Sequence, residues 1–575
     1  MNGSHVIVEM LRQYAVDVIF GVPGDTSIPL YEALHDFDGP IRHVMARDVR
    51  AAAFMADAYA RLSHKPGICE CPSGAGPLYA LPGIAEADAS SIPVIIITSD
   101  ISMAGEGKKT ITELDCQRLF DPVTKWSSQI KQVDTLPETI RRVFRIATTG
   151  RPGAIHLAIP QEVLTGEYKG SATHIYAESD CCRYPAYRTR GSRKSLEALT
   201  RHLEKAQRPV IIAGGGAKHS QAGKEILELA KMLSAPIVTT ISGQGIVADN
   251  DAMALGVIGD NGFHPHAHEA VMQGDVLLYI GCKMGSVSTI NWRLPAPEEN
   301  RTILQIDLDP ELLGNNYRNT HSVAGDAKLV LQDLVALLAM AGYKAGDISW
   351  IDGLNRARNQ FWDQAETVLN AASVPLKPQR VVQALNRHIS ENAIVIADAG
   401  TPTPHISRYL RLQGRSATFI IPRAYGGLGY AMPALVGAHF ARPDAQLVGL
   451  FGDGSLGMSA GELETLARLK IPAVMMHFNN GCFGWIKALQ ALHAKGKFYS
   501  VDFCPTDPVK VAEGFGVKAV RVETADELDT GLDMAFASNM PVFLDIVSES
   551  EVSELPPVFS WQKAAEKKNK PIIHP

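Results

Sequence analysis

An aspartate and an asparagine stand at a spacing that suits a hard divalent cation. Gly452-Asp453-Gly454-Ser455 follows the apolar run 448–451, and Asn479-Asn480 follows a second apolar run, 472–478. A carboxylate, an amide oxygen and a nearby main-chain carbonyl make an oxygen set fit for Mg²⁺ that also holds a diphosphate. Gly452 and Gly454 let backbone N–H groups approach phosphate oxygens, and the helix expected after Ser455 adds its positive end. A lone Gly-Asp-Gly would read as a glycine turn; the paired asparagines at a second strand end argue for the cradle.

The elements that must hold these residues are strands of parallel sheets. Apolar β-rich runs (93–98, 210–213, 276–280, 393–397) alternate with amphipathic helical stretches. Continuous apolar strands separated by helices predict α/β domains whose parallel sheets are covered on both faces. In such sheets, Asp453 and Asn480 fall at the carboxyl ends of two strands, where ligands bind. Segment 166–192, rich in Gly, Ser, Arg and Tyr without periodicity, reads as a linker. A second connection lies near 341–377. Three parallel-sheet domains follow, at 1–165, 193–340 and 374–555, with a tail at 556–575. Lys563, Lys567, Lys568 and Lys570 mark the tail as a solvated end, or as a flap over an active site. The first and third domains share one strand–helix rhythm.

Bulk properties exclude several classes. At 575 residues the chain has room for three or four domains. With 55 Lys+Arg against 61 Asp+Glu it carries no electrostatic footprint for nucleic acid. No apolar run reaches the ~20 residues of a membrane helix. The N-terminus lacks a signal-peptide profile. Eight cysteines without zinc-site spacing read as reduced thiols, so a cytoplasmic enzyme is expected.

With the metal motif in place, the chain resembles thiamine-diphosphate (ThDP) enzymes of the acetolactate synthase-like superfamily. Further landmarks are 20–24 (FGVPG), 72–77 (PSGAGP), 122–125 (PVTK), 208–216 (RPVIIAGGG) and 378–381 (PQRV). The resemblance implies a pyrimidine-binding, a central and a diphosphate-binding domain in that order. It implies Mg²⁺ on the side chains of Asp453 and Asn480 and the carbonyl of Cys482. It places the diphosphate near Gly400, Thr401, Gly452, Gly454, Ser455, Phe483 and Gly484, and the other half of the cofactor near Pro23, Gly24 and Ser73. In the 426–430 loop (GGLGY), Leu428 takes the place of the wedge that bends the cofactor, and the Gly426 carbonyl accepts from its 4′-amino group. The cofactor carries the difficult chemistry; the protein imposes its shape. Because this family splits its sites between subunits, a homodimer or homotetramer is implied. Ser459 and Glu462 fit a capping box for the helix through Leu469.

Two positions depart from the family. Counting back from Arg61 through 51–61 (AAAFMADAYAR), the usual glutamate that contacts the aminopyrimidine is replaced by Val49. Asp48 is rotated away by ~100° at a helix start. A valine here resembles glyoxylate carboligase. Without the carboxyl, cofactor ionisation slows while protonation of later species also slows, favouring carboligation. Counting back from 122–125, Thr112 replaces an active-site glutamine, leaving Glu113 and Asp115 as pocket residues or as a solvated loop edge.

In the central domain, 214–216 (GGG), 280–283 and 305–309 suit an adenine nucleotide, FAD or ADP, although 281–285 (GCKMG) departs from the FAD-binding pattern; a domain retained for packing is equally compatible. His264, His266 and His268 are flanked by Gly262 and Pro265, which predicts a loop with surface histidines rather than a metal site. The leading functional reading is a Mg²⁺/ThDP enzyme that decarboxylates a small 2-oxo acid and ligates the product to an aldehyde or second oxo acid. The alternatives are a non-decarboxylating ThDP lyase, such as a 2-hydroxyacyl-CoA lyase or C–C hydrolase, and a weakly active ThDP-binding paralogue.

Overall fold

The chain folds as three parallel α/β sheets of six strands each in a computed structural model that describes residues 1–297, 301–343, 348–414 and 417–567. Residues 344–347 of the second connection, and Lys568 and Lys570 of the tail, lie outside the described residues. The first sheet comprises β1 (Val18–Gly21), β2 (Arg42–Met45), β3 (Gly67–Pro72), β4 (Val94–Asp100), β5 (Trp126–Gln129) and β6 (Ile155–Pro160), in the order 2-1-3-4-6-5. The second comprises β7 (Pro209–Ala213), β8 (Ile237–Thr239), β9 (Ala254–Val257), β10 (Val276–Ile280), β11 (Thr302–Asp307) and β12 (His321–Ala324), in the order 12-11-10-7-8-9. The third comprises β13 (Ile394–Ala397), β14 (Thr418–Ile420), β15 (Leu447–Gly452), β16 (Ala473–Asn479), β17 (Lys518–Val522) and β18 (Val542–Val547), in the order 14-13-15-16-18-17.

The third order repeats the first, strand for strand. In both, the chain reverses direction across the sheet between the first and third strands, and the crevice at such a switch point is where ligands sit. The second sheet has the doubly wound order of dinucleotide-binding folds, with its switch between β7 and β10.

The first and third domains are locked by a helix pair. The helix Val49–Ser63 buries its alanine face, Ala51 to Ala53 and Ala56, against the helix Ala431–Ala441. Small side chains let the two backbones approach closely: a Cβ on Gly437 would stand 2.1 Å from the Met55 carbonyl oxygen. Tyr430 donates to Asp57 at 2.6 Å across this seam, and Arg61 pairs with Asp57 at 2.7 Å. The described part of the tail folds as a helix, Phe559–Glu566, with Trp561 buried against Trp485, while Lys563 stays exposed. No helix among the described residues is long and apolar enough to cross a membrane.

Candidate functional site

The carboxyl ends of β15 and β16, next to the switch point of the third sheet, gather the metal motif. β15 ends at Gly452, and Asp453 opens the helix Asp453–Ser459. β16 ends at Asn479, so Asn480 and Gly481 come up beside Asp453. Asp453 Oδ2 accepts from Asn480 N at 3.0 Å and from Gly481 N at 3.1 Å. Its Oδ1 lies 3.5 Å from His477 Nε2. Burial opposes a charge on His477, yet bonds to Asp453 and Asp545 hold its pKa above the ordinary imidazole value. An antiparallel bridge to Asp502 uses Gly481 O and Phe483 N rather than the carbonyl of Cys482.

The strip of backbone here is open. Added Cβ atoms at Gly400 and Gly481, both with positive φ, would meet nothing within 4 Å, and the nearest atom at Gly452 is at 3.8 Å. Gly454 differs: its Cβ would stand 2.6 Å from the Phe483 ring and 3.5 Å from Leu428 Cδ1. Leu428 is therefore beside the Gly-Asp-Gly turn, half-buried, on a loop whose Gly426 and Gly429 both have positive φ. Two buried carboxylates hold that loop. Asp398 accepts from Gly429 N at 3.1 Å and Ala431 N at 3.0 Å. Glu86, from the first domain, accepts from three consecutive backbone N–H groups, Arg423, Ala424 and Tyr425, at 2.9–3.0 Å. Burial pushes Asp398 up to about 6.

The first sheet supplies the other candidates. Gly24 packs so tightly on Pro72 that a Cβ would meet its ring at 2.5 Å, and Pro23 beside it is exposed. Thr112, with φ +66°, covers Gly74 and accepts from Ser73 Oγ at 2.8 Å. Glu113 accepts from Thr110 N at 3.1 Å and from Gly107 N, and Asp115 caps the helix Cys116–Phe120; both organise their own loop. Val49 begins the helix Val49–Ser63 with Asp48 as its N-cap. It is 5 % exposed and belongs to an apolar cluster with Phe54, Leu456 and Leu463. The Asp48 carboxylate is engaged by Arg50 N at 2.8 Å.

Three expectations need correction. Ser459 and Glu462 form no capping box: Gly461 caps the helix Glu462–Leu469, and Ser459 donates to the Ser455 carbonyl. Glu462 instead crosses the domain seam, accepting from Arg47 N at 2.9 Å and Thr465 Oγ1 at 2.7 Å. Burial pushes it up to about 7. The histidines are not on a surface loop. Pro265 starts a helix, Pro265–Gln273, and His264, His266 and His268 are all buried. His264 accepts from Val257 N and donates to the Arg408 carbonyl, and His268 bonds to the Gly259 backbone. Last, the tail's described residues dock on the helix Gly484–His493 and are only in part a solvated end. Asp398, Glu86, His477 and Glu551 were missed because each matters through strand order, not through local spacing; Glu551 is 5 % exposed beside Asn480.

Where the central domain meets the other two, a cavity of about 1190 Å³ is lined by Gly214, Gly216, Lys218, Gly281, Lys283 and Asp307, together with residues of the first and third domains. Gly216 and Gly281 touch backbone to backbone at the switch between β7 and β10. Burial lowers Lys218 to about 7, and its Nζ donates to the carbonyls of Gln244 and Phe419.

This architecture, with two sheets of one order around a sheet of the dinucleotide-binding order, is that of a thiamine pyrophosphate enzyme. Family models for the N-terminal TPP-binding, central and C-terminal TPP-binding domains match residues 1–119, 196–334 and 398–546. The chain is 35% identical over 554 residues to a probable acetolactate synthase large subunit of Methanocaldococcus jannaschii, covering 95% of this chain and 92% of the relative. It is 30% identical over 560 residues to the acetolactate synthase large subunit of Haemophilus influenzae (96% and 95%). It is 28% identical over 558 residues to isozyme 3 of Escherichia coli (95% and 94%). The chain belongs to the thiamine pyrophosphate enzymes, and within them to the acetolactate synthase-like family.

Proposed function

We propose that this enzyme is a Mg²⁺- and ThDP-dependent carboligase that decarboxylates a small 2-oxo acid, glyoxylate or pyruvate, and joins the remaining fragment to an aldehyde or second 2-oxo acid. When bound, ThDP supplies the carbon nucleophile and the electron sink for decarboxylation. Asp453, Asn480 and the Cys482 carbonyl would hold Mg²⁺, a hard-oxygen set suited to that ion. The backbone at Gly400, Thr401, Gly452, Gly454, Ser455, Phe483 and Gly484 would receive the diphosphate. Leu428 and Gly426 would shape the cofactor from below, with Pro23, Gly24, Ser73, Thr112 and Val49 closing its pyrimidine side from the partner subunit.

The observation that carries this reading is Val49. A carboxyl at that helix start would be a proton donor able to end turnover as a free aldehyde; Val49 sits in an apolar cluster and has nothing to donate. The acceptor then competes with little but water. Exposed Tyr79, Ile111, Tyr425 and Tyr499 support association into a homodimer or homotetramer. The central cavity has room for ADP or FAD, and mass spectrometry of ligands released from the purified protein identifies its occupant. A cytoplasmic location fits eight free thiols.

The test is incubation with ThDP, Mg²⁺ and glyoxylate or pyruvate, reading CO₂ release and ligated product. Both are expected. Cleavage of a 2-hydroxyacyl-CoA without CO₂ release, and no ligation of either oxo acid, would overturn the proposal.

A further inference from the structure

The hydrogen bonds of Asn480 single out a residue on a distant stretch of chain. An amide offered to a cation must present oxygen, not nitrogen, and the two ends of the group are nearly the same size. Something must therefore fix which end faces the site. Asn480 Nδ2 donates to both carboxylate oxygens of Glu551, each at 2.9 Å. Asn480 Oδ1 is left on the other side, where it accepts from Cys482 Sγ at 3.2 Å.

Glu551 is built into the place. It is 5 % exposed, on the segment that follows β18. The chain leaves room for the carboxylate by using glycine at 484: a Cβ there would stand 2.3 Å from Glu551 Oε2 and 2.4 Å from Oε1. The same segment is pinned further on. Glu554 accepts from Lys377 and Gln379, Ser560 donates to Asp260 at 2.9 Å, and Trp561 packs tilted against Trp485 with ring centroids 4.4 Å apart. Glu551 thus cannot swing away while its neighbours hold.

We propose that Glu551 is a positioning residue for the metal site, locking the Asn480 amide with its oxygen toward the cation through a two-oxygen acceptor that only the amide nitrogen satisfies. Such outer partners of a metal ligand are worth about 10–100-fold in metal affinity. The inference rests on the Mg²⁺/ThDP reading of the site, so its test separates the two. Mn²⁺ stands in for Mg²⁺, and its uptake by the full-length protein with saturating ThDP is followed by electron paramagnetic resonance, with no substrate present. Glu551→Ala should raise the half-saturating Mn²⁺ concentration about 30-fold, while Glu551→Gln, which keeps one acceptor, should raise it severalfold less. The exchange Glu551→Gln with Asn480→Asp restores a donor–acceptor pair in the opposite sense and should bring the value back to within about fivefold of the unsubstituted protein. Circular dichroism and subunit assembly of each variant report whether it is folded. Equal Mn²⁺ uptake by Glu551→Ala and the unsubstituted protein overturns the inference alone. So does an exchange variant no better than Glu551→Gln with intact Asn480. No ThDP-dependent uptake by the unsubstituted protein overturns both this inference and the metal reading beneath it.

Discussion

The first and third sheets have one strand order and one switch point, yet they furnish their crevices in opposite ways. At the third, Asp453, Asn480 and Glu551 are linked by hydrogen bonds, and Asp398 is tied to the backbone of the 426–431 loop. At the first, the helix that follows the second strand starts with Val49 in an apolar cluster, and Ser73 and Thr112 bond to each other. The shared topology decides where a ligand meets the protein; a few side chains at helix starts decide what can be done to it. On the proposed reading, the third crevice anchors charge and must be polar and rigid, whereas the first gains from withholding a proton donor.

The comparison breaks most visibly at the anchor. Asp453→Ala removes the carboxylate that organises Asn480 and Gly481, so ThDP-dependent Mn²⁺ uptake should vanish. Carboligation should fall by about 10³-fold or more, the range seen when a metal clamp or an electrostatic stabiliser is removed. Calorimetric titration with ThDP at fixed Mg²⁺ checks the first effect and product assay the second. Retained metal-dependent ThDP binding would show that the cradle is misassigned. Leu428→Ala comes next. Its Cδ1 faces the Gly454 turn, and on the proposed reading, in which the side chain shapes the cofactor and does not carry its charge, losing it should cost about 30-fold in kcat with a smaller change in ThDP affinity. Equal losses in both would mean that Leu428 merely packs.

Val49→Glu tests the opposite edge. The new carboxyl enters an apolar cluster without a partner, so the apoprotein should lose about 3 kcal/mol of stability, read as a lower Tm. With ThDP bound, exchange of the cofactor C2 proton should rise about tenfold, and product should shift from ligated toward free aldehyde. Faster exchange with unchanged product ratio would detach Val49 from the choice between ligation and release.

Much of this was legible in the chain. The alternation of apolar runs with amphipathic helices gives the three sheets, and the strand ends at 452 and 479 bring Asp453 beside Asn480, because both depend on local periodicity and spacing. The residues that hold the site in shape were not legible. Glu86 reaches the 423–425 backbone across 337 or more positions and Glu551 reaches Asn480 across 71; a carboxylate far away in sequence has no signature until strand order is known. The histidines at 264–268 misled because glycine and proline flank them, and a proline that breaks a helix interior is also the residue that best begins one. Glu462 misled in the same way: its spacing from Ser459 matched a capping box, but the seam with the first domain offered Arg47 N as a better donor.

That seam gives the smallest expected effect. Glu462 crosses from the anchoring domain to the turn that precedes Val49, and burial raises its pKa from 4.5 to about 7. A carboxyl raised on folding binds its proton more tightly in the native state than in the unfolded one. Stability is therefore greatest below the unfolded value and falls as pH rises from about 4.5 to about 7, by at most about 1.4 kcal/mol per unit, then levels off. Glu462→Gln keeps an acceptor for Arg47 N and a partner for Thr465 but has no proton to lose. Its Tm should match the unsubstituted protein near pH 5 and exceed it above pH 7. Parallel Tm profiles for the two proteins across that window would mean that the Arg47 and Thr465 bonds hold Glu462 ionised throughout. The seam would then be a fixed clasp between the two edges, indifferent to pH.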